Sequence, residues 1–310
     1  MRGRALLLYS LCCLLWGSTW LVIKVGLDDL PPFLFAGVRM AVASLALAPL
    51  AFKAGIPRLA KGRWRWVVQI GALQMGLSYA AIFAAERMVS SGLTALLFCT
   101  YPILVVVLAH FQLPGERLTK IHLASVFFGF SGIALLQMPA VREIRWAPNV
   151  ALALALPLLA SLSSAVGNVW QKKHLGDVSL VINLWGQTLI GSCVLLSLHF
   201  ATEAGAPAHW TLRSLGSLIY LAGPGTVVTF LCLFWLLPRV PMVVIGIIPI
   251  LDTLIAVALG ALVLHEPLGG RLIAAGVLIL LGAALAARAR SSPVDNLDLQ
   301  APEPSAGTGR

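Results

Sequence analysis

Charged side chains are scarce in this sequence. Asp, Glu, Lys and Arg make up 11% of its 310 residues, whereas 59% of the residues are hydrophobic and the mean hydropathy is +0.92. Soluble domains usually carry about 25% charged residues, so the composition excludes an ordinary soluble domain. It predicts a polytopic membrane protein that has the lipid bilayer as its surroundings.

The sequence also lacks the residue spacing of a disulfide, metal or nucleotide site. Its five cysteines lie inside apolar runs without a CxxC pair, which indicates packing residues. Its six histidines show no HExxH or other ligand spacing, and no glycine cluster fits GxxxxGK(S/T). No cofactor, metal or catalytic residue is therefore predicted.

Acidic residues are fewer than basic ones, which gives a net charge of +10. Lys and Arg stand in ones and twos between apolar segments rather than in a patch, so no nucleic-acid partner is predicted. If the N-terminus is cytoplasmic, fourteen Lys and Arg fall on the cytoplasmic side, and five fall on the other: Arg87, Arg142, Arg145, Arg213 and Arg271. This asymmetry predicts that both termini are cytoplasmic.

Apolar stretches long enough to cross a bilayer recur along the chain. About 20 residues are needed for one crossing, and a polar loop at 141–148 separates two groups of five stretches. The predicted fold is an all-α integral membrane protein with ten transmembrane helices. The predicted spans are 6–26, 32–52, 66–85, 92–111, 122–138, 149–170, 179–200, 212–237, 242–264 and 269–287.

The two groups of spans resemble each other. A shift of 150 residues superposes Gly17 on Gly167, Trp20 on Trp170, Glu116 on Glu266 and Gly132 on Gly282. A local shift of 147 superposes residues 102–104 on 249–251. Because each repeat contains an odd number of spans, the two halves are predicted to lie in the membrane with opposite orientation.

Several motifs are similar to those of the EamA-type family of the drug/metabolite transporter superfamily. They are WGSTWLVIKVGL followed by LPPFLFAGVRM, GERL at 115–118, GNVWQKK at 167–173 and HEPL at 265–268. The resemblance covers roughly residues 6–287. The sequence departs from the family pattern at HEPL, where GE is usual, and at residues 251–253, where a Leu-Glu-Pro-like sequence is common.

The resemblance implies a ten-helix carrier of two inverted repeats in a bacterial cytoplasmic membrane, often an exporter of amino acids or other small metabolites. Residues 1–140 and 149–288 would be the two EamA-like five-helix repeats. Residues 291–310 are polar and rich in Pro, Ser and Gly, which predicts a disordered tail.

Three charges inside or against apolar spans are candidate substrate-binding groups, because an intramembrane charge needs a partner or a wet cavity. Arg39 lies roughly 10 Å inside the second span, where it either pairs with Glu86 or the Asp28–Asp29 turn or binds a substrate carboxylate. Lys24 lies nearer the interface, where its side chain can also extend to water.

Asp252 lies roughly 16 Å into the ninth span, near the membrane midplane. It either binds a proton, a cation or a substrate amine, or is a protonated structural acid bonded to a neighbouring helix.

Other residues complete the candidate site. Gln74, Tyr79 and Asn168 either line the same space or form interhelical hydrogen bonds, and Trp16, Trp20, Trp170 and Trp185 are candidate cavity walls. Helix interruptions that must face protein or water are predicted hinge or pathway positions: Pro102, Gly223, Pro224, Gly225 and Pro249. Glu116 and Glu266 either place favourable charge at a helix N-terminus or act in gating.

Together these features predict a secondary transporter that works by alternating access, with a small-molecule substrate and protons as a candidate coupling ion. The alternative is an intramembrane enzyme acting on lipid-linked substrates. Such an enzyme needs a nucleophile with its base or grouped carboxylates, whereas the acids here are spread along the chain. The motifs identify neither the substrate nor the oligomeric state.

Overall fold

Backbone N–H and C=O groups in lipid must be hydrogen-bonded within the chain, so long apolar stretches form helices. The structure is a computed structural model that describes residues 3–55, 61–89, 91–136, 138, 149–255 and 270–288. Within these residues it contains ten helices, seven of them long and apolar enough to cross a membrane. The helices are α1 (Gly3–Leu27), α2 (Pro32–Lys53), α3 (Gly62–Met88), α4 (Leu93–Gln112), α5 (Lys120–Leu136), α6 (Val150–Leu175), α7 (Leu180–Thr202), α8 (Leu212–Leu236), α9 (Met242–Ile255) and α10 (Gly270–Arg288). The predicted all-helical fold with ten helices is confirmed.

Local sequence accounts for the starts of two helices. Proline is tolerated at the first helical position because that residue has no intrahelical N–H bond to lose, and α2 begins at Pro32. The N-terminus of α8 has a capping box, in which Thr211 and Ser214 each accept a hydrogen bond from the other's backbone N–H.

Helices α3 and α6 extend furthest past the predicted spans. Helix α3 includes residues 62–65 and α6 includes residues 171–175, both predicted as connectors. Lys, Arg and Gln are good helix formers, so the helices continue beyond their apolar parts. Residues 256–264 of the predicted ninth span, the 141–148 loop, Glu266 and the 291–310 tail lie outside the described residues.

The helices alternate in direction, which gives the bundle two ends. At one end Arg4, near the start of α1, stacks on Trp235 near the end of α8, 5.1 Å from the ring centre. This end is called the N-terminal face. At the opposite face, the backbone N–H of His209, which precedes α8, donates to the carbonyl of Asp29 between α1 and α2 (2.9 Å).

Packing of α5 against α10 confirms the duplicated halves. A Cβ added to Gly132 would lie 2.8 Å from the carbonyl oxygen of Ala275, and one added to Gly282 would lie 2.7 Å from that of Ser125. Gly282 lies 150 residues after Gly132, and Ala275 lies 150 residues after Ser125, which is the predicted shift. The contact is thus reciprocal, as a two-fold relation between the halves requires.

Gly132→Leu is expected to destabilise the protein. Its Cβ would also meet Ile279 N at 3.1 Å, and backbone atoms cannot move aside as a side-chain end can. Overpacking of this kind costs about 1–3 kcal/mol or more, so thermal unfolding in detergent should show a lower melting temperature. Gly216→Leu is the matched control, because no atom lies within 4 Å of a Cβ there. Equal melting temperatures for the two variants would contradict this account.

The third and fourth helices of each half are irregular at corresponding places. Helix α3 contains a π-helical segment at Gly71–Leu77, and α8 contains one at Gly223–Val228. Helix α4 is interrupted at residues 99–100 and α9 at residue 247, each interruption lying two residues before Pro102 or Pro249.

The predicted interruption at residues 223–225 is therefore a change of helix type rather than a gap. Around this segment, the Thr226 hydroxyl donates to the carbonyl of Leu221 and the Thr229 hydroxyl to that of Pro224, both at 2.7 Å. The π-helical segment of α3 contains no proline, and the sequence analysis did not predict it. The hinge role of these positions stays a prediction.

Candidate functional site

A cavity lies between the two halves. It is lined by α1 to α4 of the first half and by α6, α8 and α9 of the second. The predicted site residues that it brings together are Trp20, Arg39, Gln74, Tyr79, Asn168, Pro249 and Asp252.

Aromatic side chains form much of the cavity wall. Trp16 packs edge-on against Phe230, with ring centres 5.3 Å apart, and Phe98 is stacked on Tyr101 at 5.9 Å. The sequence analysis proposed Trp16 but missed Phe98, Tyr101 and Phe230. Phe98 and Tyr101 could have been found from the sequence by their position just before Pro102, on either side of the α4 interruption.

Arg39 is the most buried charged group at the cavity. Its side chain is held by α8, because Nε donates to Thr226 Oγ1 (2.9 Å) and Nη2 donates to the Gly225 carbonyl (3.2 Å). Its guanidinium also lies over the Tyr79 ring, 4.9 Å from the centre. The residue is 1% exposed, and Nη1 has no hydrogen-bond partner among the described residues.

The Asp28–Asp29 turn does not supply a carboxylate to Arg39. Asp28 pairs with Arg213 at 3.2 Å, and Asp29 accepts a hydrogen bond from the Thr211 hydroxyl at 2.6 Å. None of the ion pairs between described residues includes Arg39. A buried charge without a countercharge is costly, and this leaves the guanidinium suited to an anionic ligand.

Asp252 lies on α9, which brings it to the cavity just beyond Pro249. Its Oδ1 accepts hydrogen bonds from Trp20 Nε1 (3.4 Å) and from the hydroxyl of Thr253 (3.3 Å), and the residue is 4% exposed. Both donors are neutral. The cavity therefore has a cationic group and a carboxyl group in its wall that do not pair with each other.

A chain of amide and hydroxyl groups joins three of the cavity helices. Gln74 Nε2 donates to Asn168 Oδ1 and Asn168 Nδ2 donates to the Tyr101 hydroxyl, both at 2.8 Å. The three residues belong to α3, α6 and α4. These interhelical bonds fix the side chains at the cavity wall, so the two functions that the sequence analysis weighed for Gln74 and Asn168 are compatible.

Three predicted residues lie elsewhere. Lys24 Nζ donates to the backbone carbonyl of Glu86 (3.2 Å) near the opposite face. Trp170 Nε1 donates to Gln112 Oε1 (3.0 Å) near the N-terminal face, and the ring of Trp185 packs on that of Trp64. The structure does not place these side chains at the cavity.

The fold and the cavity together define a class of protein. A multi-pass helical membrane protein with two inverted five-helix halves and a cavity between them has the architecture of a secondary transporter. A family model described as the EamA-like transporter family matches residues 3–138 and 151–288. The chain belongs to the EamA-like transporter family.

Relatives of similar length support this membership. The chain is 29% identical over 275 residues to the "Uncharacterized transporter YoaV" of Bacillus subtilis (strain 168), covering 87% of this chain and 91% of the relative. It is 27% identical over 286 residues to the "Probable amino-acid metabolite efflux pump" of Escherichia coli (strain K12), covering 88% and 91%. A crystal structure that is 21% identical superposes with a TM-score of 0.77 over 92% of this chain and 97% of that chain, which shows the shared fold.

Proposed function

We propose that this transporter exports small metabolites, such as amino acids or related amphipathic compounds, across a bacterial cytoplasmic membrane by alternating access. The observation that carries the proposal is the cavity between the two inverted halves, with Arg39 and Asp252 both buried in its wall. The name of the Escherichia coli relative agrees with this substrate class. The excess of Lys and Arg on one side supports an orientation with both termini in the cytoplasm.

The cavity chemistry suits a zwitterion. Arg39 offers an unpartnered N–H donor and a positive charge to a carboxylate. Asp252 offers a carboxyl group to an ammonium, while the rings of Trp16, Phe98 and Phe230 give an apolar body a surface to pack against. Asp252 is also the candidate site for a coupling proton, because a buried carboxyl group changes charge when it gains or loses one.

The proposal is tested by flux in proteoliposomes. Vesicles containing the purified protein are loaded with a mixed pool of amino acids, nucleosides and amphipathic amines, and the external solution is analysed by mass spectrometry with and without a pH gradient. We expect saturable, protein-dependent flux of at least one amphipathic metabolite. Protein-free vesicles give the background, and flux equal to that background for every compound would contradict the proposal.

A further inference from the structure

Glu116 joins the two halves of the protein at the N-terminal face. It lies in the connector between α4 and α5, directly after Gly115, whose positive φ of 85° makes the turn. One of its carboxylate oxygens, Oε1, accepts from Lys172 Nζ of α6 (2.7 Å) and from the backbone N–H of Met242 (3.0 Å). Lys172 Nζ also donates to the Val240 carbonyl (3.0 Å). The Glu116 carboxylate of the first half therefore bonds both α6 and the start of α9 in the second half.

These contacts differ from the sequence-based account of Glu116. The helix that directly follows it is α5, and a favourable charge at that N-terminus was the first alternative. In the structure the carboxylate instead accepts from the first residue of α9, 126 residues further along the chain. Its side chain and that of Lys172 are only 15% and 19% exposed, so the pair lies within the closed surface of this face.

The part of α9 that Glu116 holds is short. It comprises Met242–Gly246 and ends at the interruption at residue 247. Just beyond the interruption, Pro249 has no N–H to donate back to this segment. Kinks and interruptions of this kind are places where a helix can change direction.

The same segment closes the N-terminal end of the cavity. Ile245 lines the cavity from the second half. Gly246 packs against the first half so closely that an added Cβ would lie 2.9 Å from the Val105 side chain and 3.3 Å from Pro102 Cα. Movement of Met242–Gly246 away from α4 would therefore open the cavity towards the N-terminal face.

We infer that Glu116 is a gating residue, and that its bonds to Lys172 and Met242 hold the Met242–Gly246 segment closed over the N-terminal end of the cavity. The inference rests on the proposed transport function and adds the residue that controls access at this face. Both side chains keep some exposure to solvent, so water can hydrate the two charges when the pair opens in each transport cycle.

Chemical labelling of the cavity tests this gate without any substrate. Ser164, a cavity residue of α6, is replaced by cysteine as a reporter in vesicles that expose the N-terminal face. A membrane-impermeant maleimide is added, and modification of the reporter is followed by mass spectrometry of its peptide, which separates it from the native cysteines. We expect Glu116→Ala to raise the labelling rate by up to about fivefold, because loss of the pair shifts the gate towards the open state. Lys172→Ala should change the rate in the same direction.

Glu203→Ala is the matched control. Like Glu116, Glu203 accepts from backbone N–H at the start of a helix, here from Phe33 (3.1 Å) and Leu34 (3.2 Å), but at the opposite face. The Glu203→Ala substitution should leave the rate of labelling from the N-terminal face unchanged.

An unchanged rate in both Glu116→Ala and Lys172→Ala would overturn the inference, as would an equal increase in Glu203→Ala. Because the labelling needs no substrate, failure of the gate is distinguishable from failure of the flux assay.

Discussion

Arg39→Gln is expected to remove most of the affinity for substrate. A hydrogen bond to a charged group is worth about 1.5–3 kcal/mol, which corresponds to roughly 10- to 150-fold in dissociation constant. The variant retains a polar side chain but loses the positive charge that a carboxylate would neutralise. Isothermal titration with whichever metabolite supports flux measures this loss directly.

Two further arginine variants make the test specific. Arg39→Lys retains the charge but not the planar fork that bonds Thr226 and Gly225 and that we propose binds the substrate carboxylate, so an intermediate loss of affinity is expected. Arg213→Gln removes an exposed arginine that pairs with Asp28 outside the cavity, and it should bind substrate as the parent does. Parental affinity in Arg39→Gln would exclude this arginine from substrate binding.

Asp252→Asn is expected to abolish the dependence of transport on a pH gradient. The amide keeps the size of the carboxyl group and can still accept from Trp20 and Thr253, but it neither binds nor releases a proton. Stimulation of flux by the gradient should therefore be lost, and the residual flux should not vary with pH. Measuring flux at several internal and external pH values shows whether transport still depends on the pH gradient.

Asp177→Asn is the matched control for Asp252. Asp177 pairs with Arg63 at 2.7 Å near the N-terminal face, and its side chain is 69% exposed. The substitution removes a carboxylate without reaching the cavity, so coupling should remain. Unchanged flux and unchanged pH dependence in Asp252→Asn would remove Asp252 from the mechanism.

The sequence by itself determined the fold class and the repeat. A chain with 11% charged residues and ten apolar stretches has few ways to satisfy its backbone in lipid other than as helices. The 150-residue shift, derived from pairs such as Gly132 and Gly282, reappears as reciprocal contacts between α5 and α10. Both results depend on local composition and periodicity, which the sequence displays directly. The same reasoning singled out Arg39 and Asp252, because a charge within an apolar run is visible without a structure.

Only the tertiary structure decided which side chains meet. Arg39 bonds residues 186 and 187 positions away rather than the nearby Asp28–Asp29 turn. Lys24 and Trp170 lie away from the cavity, although their residue types fitted it as well as those of Trp20 and Gln74. Glu116 holds the start of α9 rather than that of its own helix. Such contacts depend on how the two inverted halves pack against each other, and the local hydrophobic pattern specifies the face of a helix but not its partner.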